Sequence, residues 1–311
     1  GAGVLTLSGT NTYAGATTIS AGTLKLGASN VISDSSALSL ANTAGAILDV
    51  NGQTETIASL AGGGASGGNV QLGSGTLTVS GAANTTYAGV MSGIGGAFVK
   101  AGAGNLTFTG ANTYDGGTTI NNGKLFVNNT TGSGTGSGAV AVNGGTLGGS
   151  GTIGGPVTVG TATVAPGNSA GTLTINNTVT LNPMSTLAFE LVRTVAGDQT
   201  VGGGVNDLID GVTHLVLDGT LDVAPDVSFA SAAAGDRWRL INYSGSLTDQ
   251  TLDISPATMA LLSGGLFFEI ETSIANQINL VVSAVPEAGA IAAMGMVGLV
   301  SAAAVWIRRR R

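Results

Sequence analysis

Acidic side chains are the groups in this 311-residue sequence that could carry out hydrolytic chemistry. Asp218 and Asp222, or Glu269 and Glu271, are spaced so that each pair would lie on one face of a β-strand. A glycosidase needs two carboxylates about 5–10 Å apart, one on either side of the bond it breaks. Because no recognisable catalytic motif surrounds either pair, we interpret both as solvated acidic positions at strand ends.

The basic and metal-binding side chains offer less chemistry. Arg237 and Arg239 beside Asp236 form the one cluster of the kind that a polysaccharide lyase would need. His214 is the one histidine and the chain contains no cysteine, so we do not expect a transition-metal site. The oxygen-rich segment 206–211 could bind calcium, but it lacks the spacing of an EF-hand loop, and we expect no cofactor.

The small number of charged residues and their acidic excess exclude some classes of binding partner. Charged residues make up 9% of the sequence, against about 25% in an average protein. Seventeen acidic residues outnumber ten basic ones, and four of the basic residues are the last four of the chain. Phosphate binding needs clustered Lys and Arg, so we expect no nucleic-acid partner. Low charge together with 53 glycines indicates tight turns between short strands rather than disorder.

A repeated segment must position whatever chemistry exists. The stretch Leu5–Leu26, LTLSGTNTYAGATTISAGTLKL, returns at Leu106–Val127 with 12 of 22 positions identical, and a looser copy begins at Leu77. Each copy alternates apolar and polar residues in three short runs separated by turn residues, which is strand periodicity. One such unit cannot bury its apolar side alone, whereas stacked units can. The repeats therefore predict a β-solenoid, most simply a right-handed parallel β-helix of about 20–25 residues per coil.

Three sets of repeated residues carry finer expectations. Tyr13, Tyr87 and Tyr114 are equivalent, and we favour a stacked structural ladder of tyrosines over an exposed row that binds glycans. Asn11 and Asn112 are also equivalent and could satisfy one another's amides in a stack. Gly15 and Gly116 are turn candidates, where a larger side chain would destabilise the fold if φ is positive.

The repeat resembles the autotransporter-associated β-strand repeat of passenger regions in bacterial surface proteins. The phrase VAPGNSAGTLTI at 164–175 also resembles such passengers. The resemblance implies an exported β-helix and implies no particular activity. The sequence opens at a repeat boundary, so we expect a signal peptide to have been removed or to lie outside it.

The sequence divides into three predicted parts. Residues 1–228 should form the β-helix and 229–282 a β cap, because large aromatic side chains gather there and a solenoid end needs covering. Residues 283–311 are different in kind. Residues 289–307 carry no charge over 19 positions, enough for one transmembrane helix. The basic cluster that follows would mark the cytoplasmic side; it consists of Arg308, Arg309, Arg310 and Arg311.

This tail resembles the PEP-CTERM protein-sorting tail. Val285, Pro286 and Glu287 match its short motif, and Ala288 replaces the usual second proline. The resemblance implies cleavage near the motif by an exosortase-like sorting protease. An ordinary tail anchor without processing remains the alternative. A self-exporting autotransporter would add a C-terminal membrane domain, which we do not expect because the chain ends in one helix-like span.

Together these features predict a non-enzymatic, exported surface or extracellular-matrix repeat protein with a structural or adhesive role. It would be membrane-anchored, transiently or stably, by the C-terminal helix. Its expected partners are the exosortase-like protease, the export machinery, the membrane and, as a candidate, extracellular polysaccharide. The alternative is a carbohydrate-active enzyme, a lyase or hydrolase, built on a β-helix.

Overall fold

The computed structural model describes residues 1–199, 201–202 and 204–285. These residues form 31 β-strands, one 3₁₀ helix at Val227–Ser231 and one short α-helix, α1 (Pro256–Met259). In this part of the chain no helix has the length and apolar character needed to cross a bilayer. The predicted helix at 289–307, two motif residues and the basic cluster lie outside the described residues; these are Pro286, Glu287, Arg308, Arg309, Arg310 and Arg311.

The strands are short and evenly spaced. The first third of the chain contains β1 (Val4–Leu7), β2 (Thr17–Ile19), β3 (Thr23–Leu26), β4 (Ala37–Leu40), β5 (Ile47–Asp49), β6 (Thr54–Ile57), β7 (Ser59–Gly62), β8 (Asn69–Gln71), β9 (Thr76–Val79), β10 (Thr85–Tyr87), β11 (Met91–Ser92) and β12 (Ala97–Lys100). The middle contains β13 (Asn105–Phe108), β14 (Thr118–Ile120), β15 (Lys124–Val127), β16 (Val140–Val142), β17 (Thr146–Gly149), β18 (Thr152–Ile153), β19 (Val157–Val159), β20 (Thr163–Pro166), β21 (Thr172–Ile175), β22 (Val179–Leu181) and β23 (Thr186–Phe189). The last part contains β24 (Leu208–Val212), β25 (Leu215–Leu217), β26 (Thr220–Val223), β27 (Arg237–Tyr243), β28 (Leu247–Asp249), β29 (Asp253–Ile254), β30 (Leu266–Glu271) and β31 (Gln277–Ala284).

The strands form four sheets in which neighbouring strands lie two or three strands apart in the chain, except at the β27-β31-β30 end of the fourth sheet. Sheet 1 has the order β1-β3-β5-β8-β11, and sheet 2 the order β2-β4-β7-β10-β13-β15-β17-β20-β23-β26-β29. Sheet 3 runs β6-β9-β12-β14-β16-β19-β22-β25-β28, and sheet 4 runs β18-β21-β24-β27-β31-β30. Strand pairing among the described residues is parallel except for β27 with β31 and β30 with β31. This confirms the all-β prediction and is consistent with the predicted β-solenoid.

The register of sheet 2 gives the length of each coil. Paired residues lie 17 to 25 positions apart as far as Leu187, the extremes being Leu147 with Val164 and Gly62 with Tyr87. The next two steps are longer, 34 residues from Leu187 to Leu221 and 33 from Leu221 to Ile254. Two insertions cause this lengthening: the first insertion (residues 190–207) and the second insertion (residues 224–236). Ten steps of about 4.8 Å give sheet 2 a length of about 48 Å.

Alternation within each strand builds the core. Leucine and valine side chains point inward in columns along the stack, while threonines between them face outward. One such column in sheet 2 is exposed by no more than 1%; it contains Leu125, Leu147, Val164, Leu187 and Leu221. Each coil therefore buries its apolar face against the coils on either side.

The glycine that requires positive φ lies later in each repeat than we expected. Gly22 and Gly123, which are equivalent, have φ of +73° and +66°, and a Cβ there would lie 2.3 and 2.5 Å from carbonyl oxygens of the preceding coil. The condition of positive φ is not met at Gly15 or Gly116, so a larger side chain there meets no penalty for a left-handed backbone. Gly116 is constrained sterically instead, since its Cβ would lie 2.4 Å from the carbonyl oxygen of Gly95.

The two full repeat copies lie on different sheets. In the copy at 5–26, β1 and β3 belong to sheet 1 and β2 to sheet 2. In the copy at 106–127, β13 and β15 belong to sheet 2 and β14 to sheet 3. The motif is thus used in two positions that differ by one sheet, which shows that the sheets are structurally interchangeable.

This rotation overturns the predicted tyrosine and asparagine ladders. The Tyr13 hydroxyl bonds to Thr17 Oγ1 at 2.7 Å, and the Tyr114 hydroxyl bonds to Thr118 Oγ1 at 2.6 Å. Each of these two tyrosines is therefore bonded within its own copy, and the ring of the third, Tyr87, packs against Phe108. The asparagines at the repeated position bond to the backbone of neighbouring coils rather than to each other.

Parallel pairing continues beyond residue 228. β27, β28 and β29 stack on β24, β25 and β26, and only then do β30 and β31 close sheet 4 with antiparallel pairing. Phe229, Trp238 and Phe268 form an aromatic cluster there, with ring centroids 5.3 to 6.1 Å apart. A capping role for 229–282 stays a prediction.

Candidate functional site

The first predicted carboxylate pair is engaged in structural bonds. Asp218 is 9% exposed and its Oδ1 accepts from the backbone N–H of Gly219 at 2.7 Å, which holds the turn before β26. Asp222 lies on the exposed side of β26, where its Oδ1 accepts from the Ser255 hydroxyl of the next coil at 2.7 Å. The two side chains have different surroundings and each stabilises its own contact.

The second pair lies on β30, and both of its members are bonded. Glu271 accepts two hydrogen bonds from Arg237, at 2.8 and 3.1 Å, in a bidentate ion pair. It accepts a third from Asn279 Nδ2 at 3.1 Å. Glu269 accepts from the hydroxyl of Ser283. Neither carboxylate is available as a general acid or nucleophile without breaking these contacts.

His214 is at the surface and links two coils. Its Nδ1 accepts from the backbone N–H of Ser246 at 3.2 Å and lies 3.0 Å from the Ser246 hydroxyl. An accepting Nδ1 places the proton of the neutral ring on Nε2. Among the described residues, no group of three or more His, Asp and Glu side chains is placed to hold a metal ion.

The oxygen-rich segment 206–211 directs its oxygens to protein donors. Asn206 Oδ1 accepts from the N–H of Val192 at 2.6 Å, and Asp210 accepts from the Asn242 amide at 3.0 Å. Asp207 joins two coils, since its carboxylate accepts from Gly171 N–H at 2.9 Å and Glu190 N–H at 2.6 Å. These bonds fasten the end of the first insertion at the start of β24.

Asp207 is also the most perturbed carboxyl of this region. It is 1% exposed, and this burial raises the pKa of Asp207 to about 7, although the two backbone N–H donors oppose the rise. The adjacent Glu190 raises it further by charge repulsion. The group therefore changes its protonation near neutral pH.

Ion pairs fasten the first insertion onto the last coil. Arg193 donates from Nε to Asp236 Oδ2 at 2.5 Å, and Asp236 also accepts from the N–H groups of Gly197 and Ala233, both at 2.8 Å. Burial alone would raise the pKa of Asp236, but these bonds from Arg193 and the backbone outweigh it and lower the pKa. Trp238 Nε1 adds a bond to the carbonyl of Val192 at 2.8 Å.

A cavity opens where this insertion meets the antiparallel strands. Its volume is about 360 Å³, and we call it the C-terminal cavity; its lining consists of Asp198, Gln199, Val201, Arg237, Arg239, Ile274, Gln277 and Asn279. One wall is fixed by Gln199, whose side chain donates to the carbonyls of Val195 and Gly197 at 2.7 and 2.8 Å. The predicted basic cluster of Arg237 and Arg239 thus lies in a concave site, but Asp236 points away to Arg193.

Two polar atoms in the C-terminal cavity have no partner among the described residues. Arg239 Nε and Asn279 Oδ1 are both buried and unbonded. The whole Arg239 side chain has no ion pair or hydrogen bond within the described part of the chain. Arg237 beside it is neutralised by Glu271 and Asp198. Sequence spacing identified the two arginines, but only the structure distinguishes the paired one from the free one.

Two buried charges were missed by sequence reasoning. Glu55 is fully buried and accepts the backbone N–H of Val31 at 2.9 Å, and burial raises its pKa. Lys100 is 1% exposed, donates to the carbonyl of Gly102, and has its pKa lowered by burial. A signal was present, because strand alternation places Glu55 with Ile57, and Lys100 with Phe98, on the apolar face.

Asn112 is a buried polar residue with a clear structural task. Its Oδ1 accepts from Met91 N–H at 2.7 Å, and its Nδ2 donates to the carbonyl of Gly134 at 2.5 Å. The side-chain amide thereby substitutes for a peptide group between the end of sheet 1 and the coils that lead to sheet 4. Asn112 is 3% exposed, so this bridge lies inside the stack.

Comparison with known proteins relates the chain to bacterial passengers. Residues 1–26, 70–92 and 98–126 match the Passenger-associated-transport-repeat family. A 127-residue stretch, 40% of this chain, is 45% identical to the adhesin BmaC autotransporter of Brucella suis biovar 1. The chain spans about 4% of the length of that relative. These matches confirm the repeat assignment made from sequence.

Proposed function

We propose that this chain is an exported, non-enzymatic surface protein whose stacked coils serve adhesion or the structure of an extracellular matrix. The observation that carries the proposal is the match of three passenger repeats to coils of one parallel stack. The relative named an adhesin supports the same role. A right-handed winding of the coils is part of this proposal, because parallel strand–crossover–strand connections are almost always right-handed.

The engaged carboxylates support a binding role over a catalytic one. Asp222, Glu269 and Glu271 each accept bonds from neighbouring side chains of the fold. Hydrolysis would require one carboxyl to hold a transferable proton and another to face the substrate. A long, regular and largely uncharged lateral surface instead favours an extended contact with matrix or polysaccharide.

Surface display tests the proposal directly. The full chain would be displayed on a non-adherent bacterium, and bound cells counted on matrix protein, polysaccharide and host-cell monolayers. We expect binding above the empty display system on at least one surface, and loss of that binding in Leu125→Asp, which places a charge in the core. Equal counts for the intact chain and Leu125→Asp would overturn the adhesive role. Release of unsaturated uronic products or new reducing ends from polysaccharides would overturn the non-enzymatic role.

The tail completes the proposed function. We propose that residues 289–307 anchor the protein in the membrane with Arg308, Arg309, Arg310 and Arg311 in the cytoplasm. An exosortase-like protease would act near Val285, Pro286 and Glu287. Its support is the order of motif, uncharged span and basic cluster, together with Val285, whose side chain is 60% exposed. An exposed, extended segment is what a protease active site can bind, and proline helps keep it extended.

Intact mass and membrane fraction test the tail. Deleting 288–311 should give a soluble exported protein, whereas replacing Pro286 and Glu287 by alanine should leave a longer, membrane-bound form. If wild type and the double-alanine variant have the same mass and the same membrane fraction, the sorting role is wrong and the tail is an anchor alone.

A further inference from the structure

We propose that the C-terminal cavity binds a hydroxy-carboxylic acid, specifically the uronic acid unit of an acidic polysaccharide. The inference deepens the proposed function and rests on it, because it names the ligand class that a surface protein of this kind would hold. It starts from the two unpartnered polar groups of Arg239 and Asn279. Buried polar atoms normally have partners, so two such atoms that line one cavity point to a ligand that supplies both contacts.

Arg239 selects the charge of the ligand. Its guanidinium offers donors in a planar fork that matches a carboxylate. The neighbouring Arg237 cannot compete for the ligand, since Glu271 holds it at 2.8 and 3.1 Å and Asp198 at 3.0 Å. Arg239 is therefore the cation of this cavity that has no counter-ion in the part of the chain that the structure describes.

Asn279 requires that the ligand also carry a hydrogen-bond donor. Its Nδ2 is already bonded to Glu271, so the orientation of the amide is fixed and Oδ1 requires a donor. A sulfate ion at neutral pH has no hydrogen to donate, so it could accept from Arg239 but could not satisfy Asn279 Oδ1. A sugar hydroxyl near a carboxylate supplies both the acceptor for Arg239 and the donor for Asn279 Oδ1. The register pairs Arg239 directly with Asn279, so the two groups are adjacent on the sheet.

The remaining lining fits a sugar ring. Val201 is 41% exposed and Ile274 is half-buried, so the cavity has apolar surface for the C–H face of a ring. Gln277 adds an amide that can donate and accept. At about 360 Å³ the cavity is at the lower end of the range typical of small-molecule sites, about 300–1,000 Å³. A second class of ligand, a peptide with a free C-terminal carboxylate, is less suited because it offers no hydroxyl next to its carboxylate unless a side chain supplies one.

Calorimetric titration of the full chain provides the test. The probes are galacturonic acid and its short oligomers, with galactose, acetate and a C-terminal peptide as comparisons. We expect the uronic acids to bind and the others to bind at least ten-fold more weakly. Arg239→Gln should weaken uronic acid binding at least ten-fold, and Lys124→Gln, which removes the same charge elsewhere, should leave it unchanged. Asp198→Asn should strengthen binding, because it removes a carboxylate from the cavity rim.

Each contrary result overturns a stated part. Unchanged binding in Arg239→Gln, or no uronic acid binding at all, would overturn the site. If acetate bound as tightly as the uronic acids, or if the C-terminal peptide bound more tightly, the proposal that the ligand is a sugar acid would be overturned. Asp198 is 77% exposed, so its variant remains informative if Arg239→Gln does not fold. If the chain mediates cell adhesion but binds no uronic acid, the proposed ligand site is rejected and the proposed function stands. If the displayed chain mediates no adhesion, the proposed function itself is rejected.

Discussion

The two full copies of the repeat have the same local structure and very different burial. Leu5 is 61% exposed in the first copy, and its equivalent Leu106 is 1% exposed in the second. Tyr13 is 38% exposed, and Tyr114 is completely buried. Yet each tyrosine makes the same hydroxyl bond to a threonine four residues later.

The difference comes from neighbours rather than from the motif. Within the described residues β1 pairs with β3 on one side, whereas β13 pairs with β10 on one side and β15 on the other. The motif therefore specifies turns and strands, and the adjacent coils supply the burial that stabilises them. This is the behaviour of a repeat protein, in which stability is the sum of unit and interface terms.

The largest effect is expected when the equivalent leucine of each copy is replaced by alanine. Leu106→Ala should lower the free energy of unfolding by about 2–5 kcal/mol, because it removes core volume between two coils. Leu5→Ala should cost no more than about 0.5 kcal/mol, since that side chain is already exposed. Denaturant unfolding followed by circular dichroism measures both. Equal losses would mean that the motif itself, and not its neighbours, sets the stability.

The repeated asparagine gives the next largest contrast. Asn112→Ala should cost about 2–3 kcal/mol, because it leaves the Met91 N–H and the Gly134 carbonyl buried without partners. Asn11 donates to the carbonyls of Gly9 and Val31 from a more exposed site, so Asn11→Ala should cost about 0.5–1 kcal/mol. Amide hydrogen exchange at Met91 should accelerate in Asn112→Ala only; an unchanged rate there would contradict the bridging role.

Burial by neighbouring coils should also make the free energy of unfolding depend on pH. The pKa of Asp207 is raised to about 7, so the folded state holds a proton that the unfolded chain releases near pH 4. Stability from this group is therefore present below pH 4 and falls as pH rises from about 4 to about 7, by roughly 1 kcal/mol or more. Asp207→Asn should reduce this slope in urea midpoints measured across that range, and Glu55, whose pKa burial also raises, contributes to the slope that remains.

Asp226 supplies a control of opposite sign. Its hydrogen bonds from Ser228 lower the pKa of Asp226, so its contribution is present above the unfolded pKa and is lost as pH falls. Asp226→Asn should change the acidic limb of the stability profile and leave the slope between pH 4 and 7 intact. A slope that is as steep in Asp207→Asn as in the wild type would show that burial of this carboxyl does not contribute to it.

The smallest effect is expected from the tyrosine hydroxyls. Tyr114→Phe should cost about 1 kcal/mol, because the buried hydroxyl of Thr118 loses its partner. Tyr13→Phe should cost less than about 0.5 kcal/mol, since water can replace the exposed contact. Thermal melts of both variants provide the measurement, and we expect the larger drop in melting temperature for Tyr114→Phe. Identical drops would mean that burial does not determine how much each hydroxyl bond contributes.

Most of the fold could be predicted because the repeats encode it locally. Alternation in segments such as Leu5–Leu7 and Leu106–Phe108 determined the strands, and the need to bury them determined the stack. The positions of the two copies on different sheets could not be predicted, because coil length varies between 17 and 25 residues and the errors add up. For the same reason the tyrosine and asparagine ladders were wrong.

The candidate site was predictable only in part. The cluster of Arg237 and Arg239 stood out in a sequence with few charges. The partner of Asp236 is Arg193, which lies 43 residues away in the first insertion, and no local pattern indicates a contact over that distance. Whether an arginine is paired or free depends on such contacts, so the unbonded state of Arg239 required the structure.

The placement of one motif on two different sheets bears on how such a gene can change length. A distance of 101 residues separates equivalent positions of the copies, and it carries the chain from sheet 1 to sheet 2 instead of back to the same sheet. Both copies nevertheless fold into the same strands and turns. A duplicated DNA segment therefore need not encode a whole number of coils to be accommodated. Such a protein can grow or shrink by as little as one strand, and recombination between repeats meets few forbidden breakpoints.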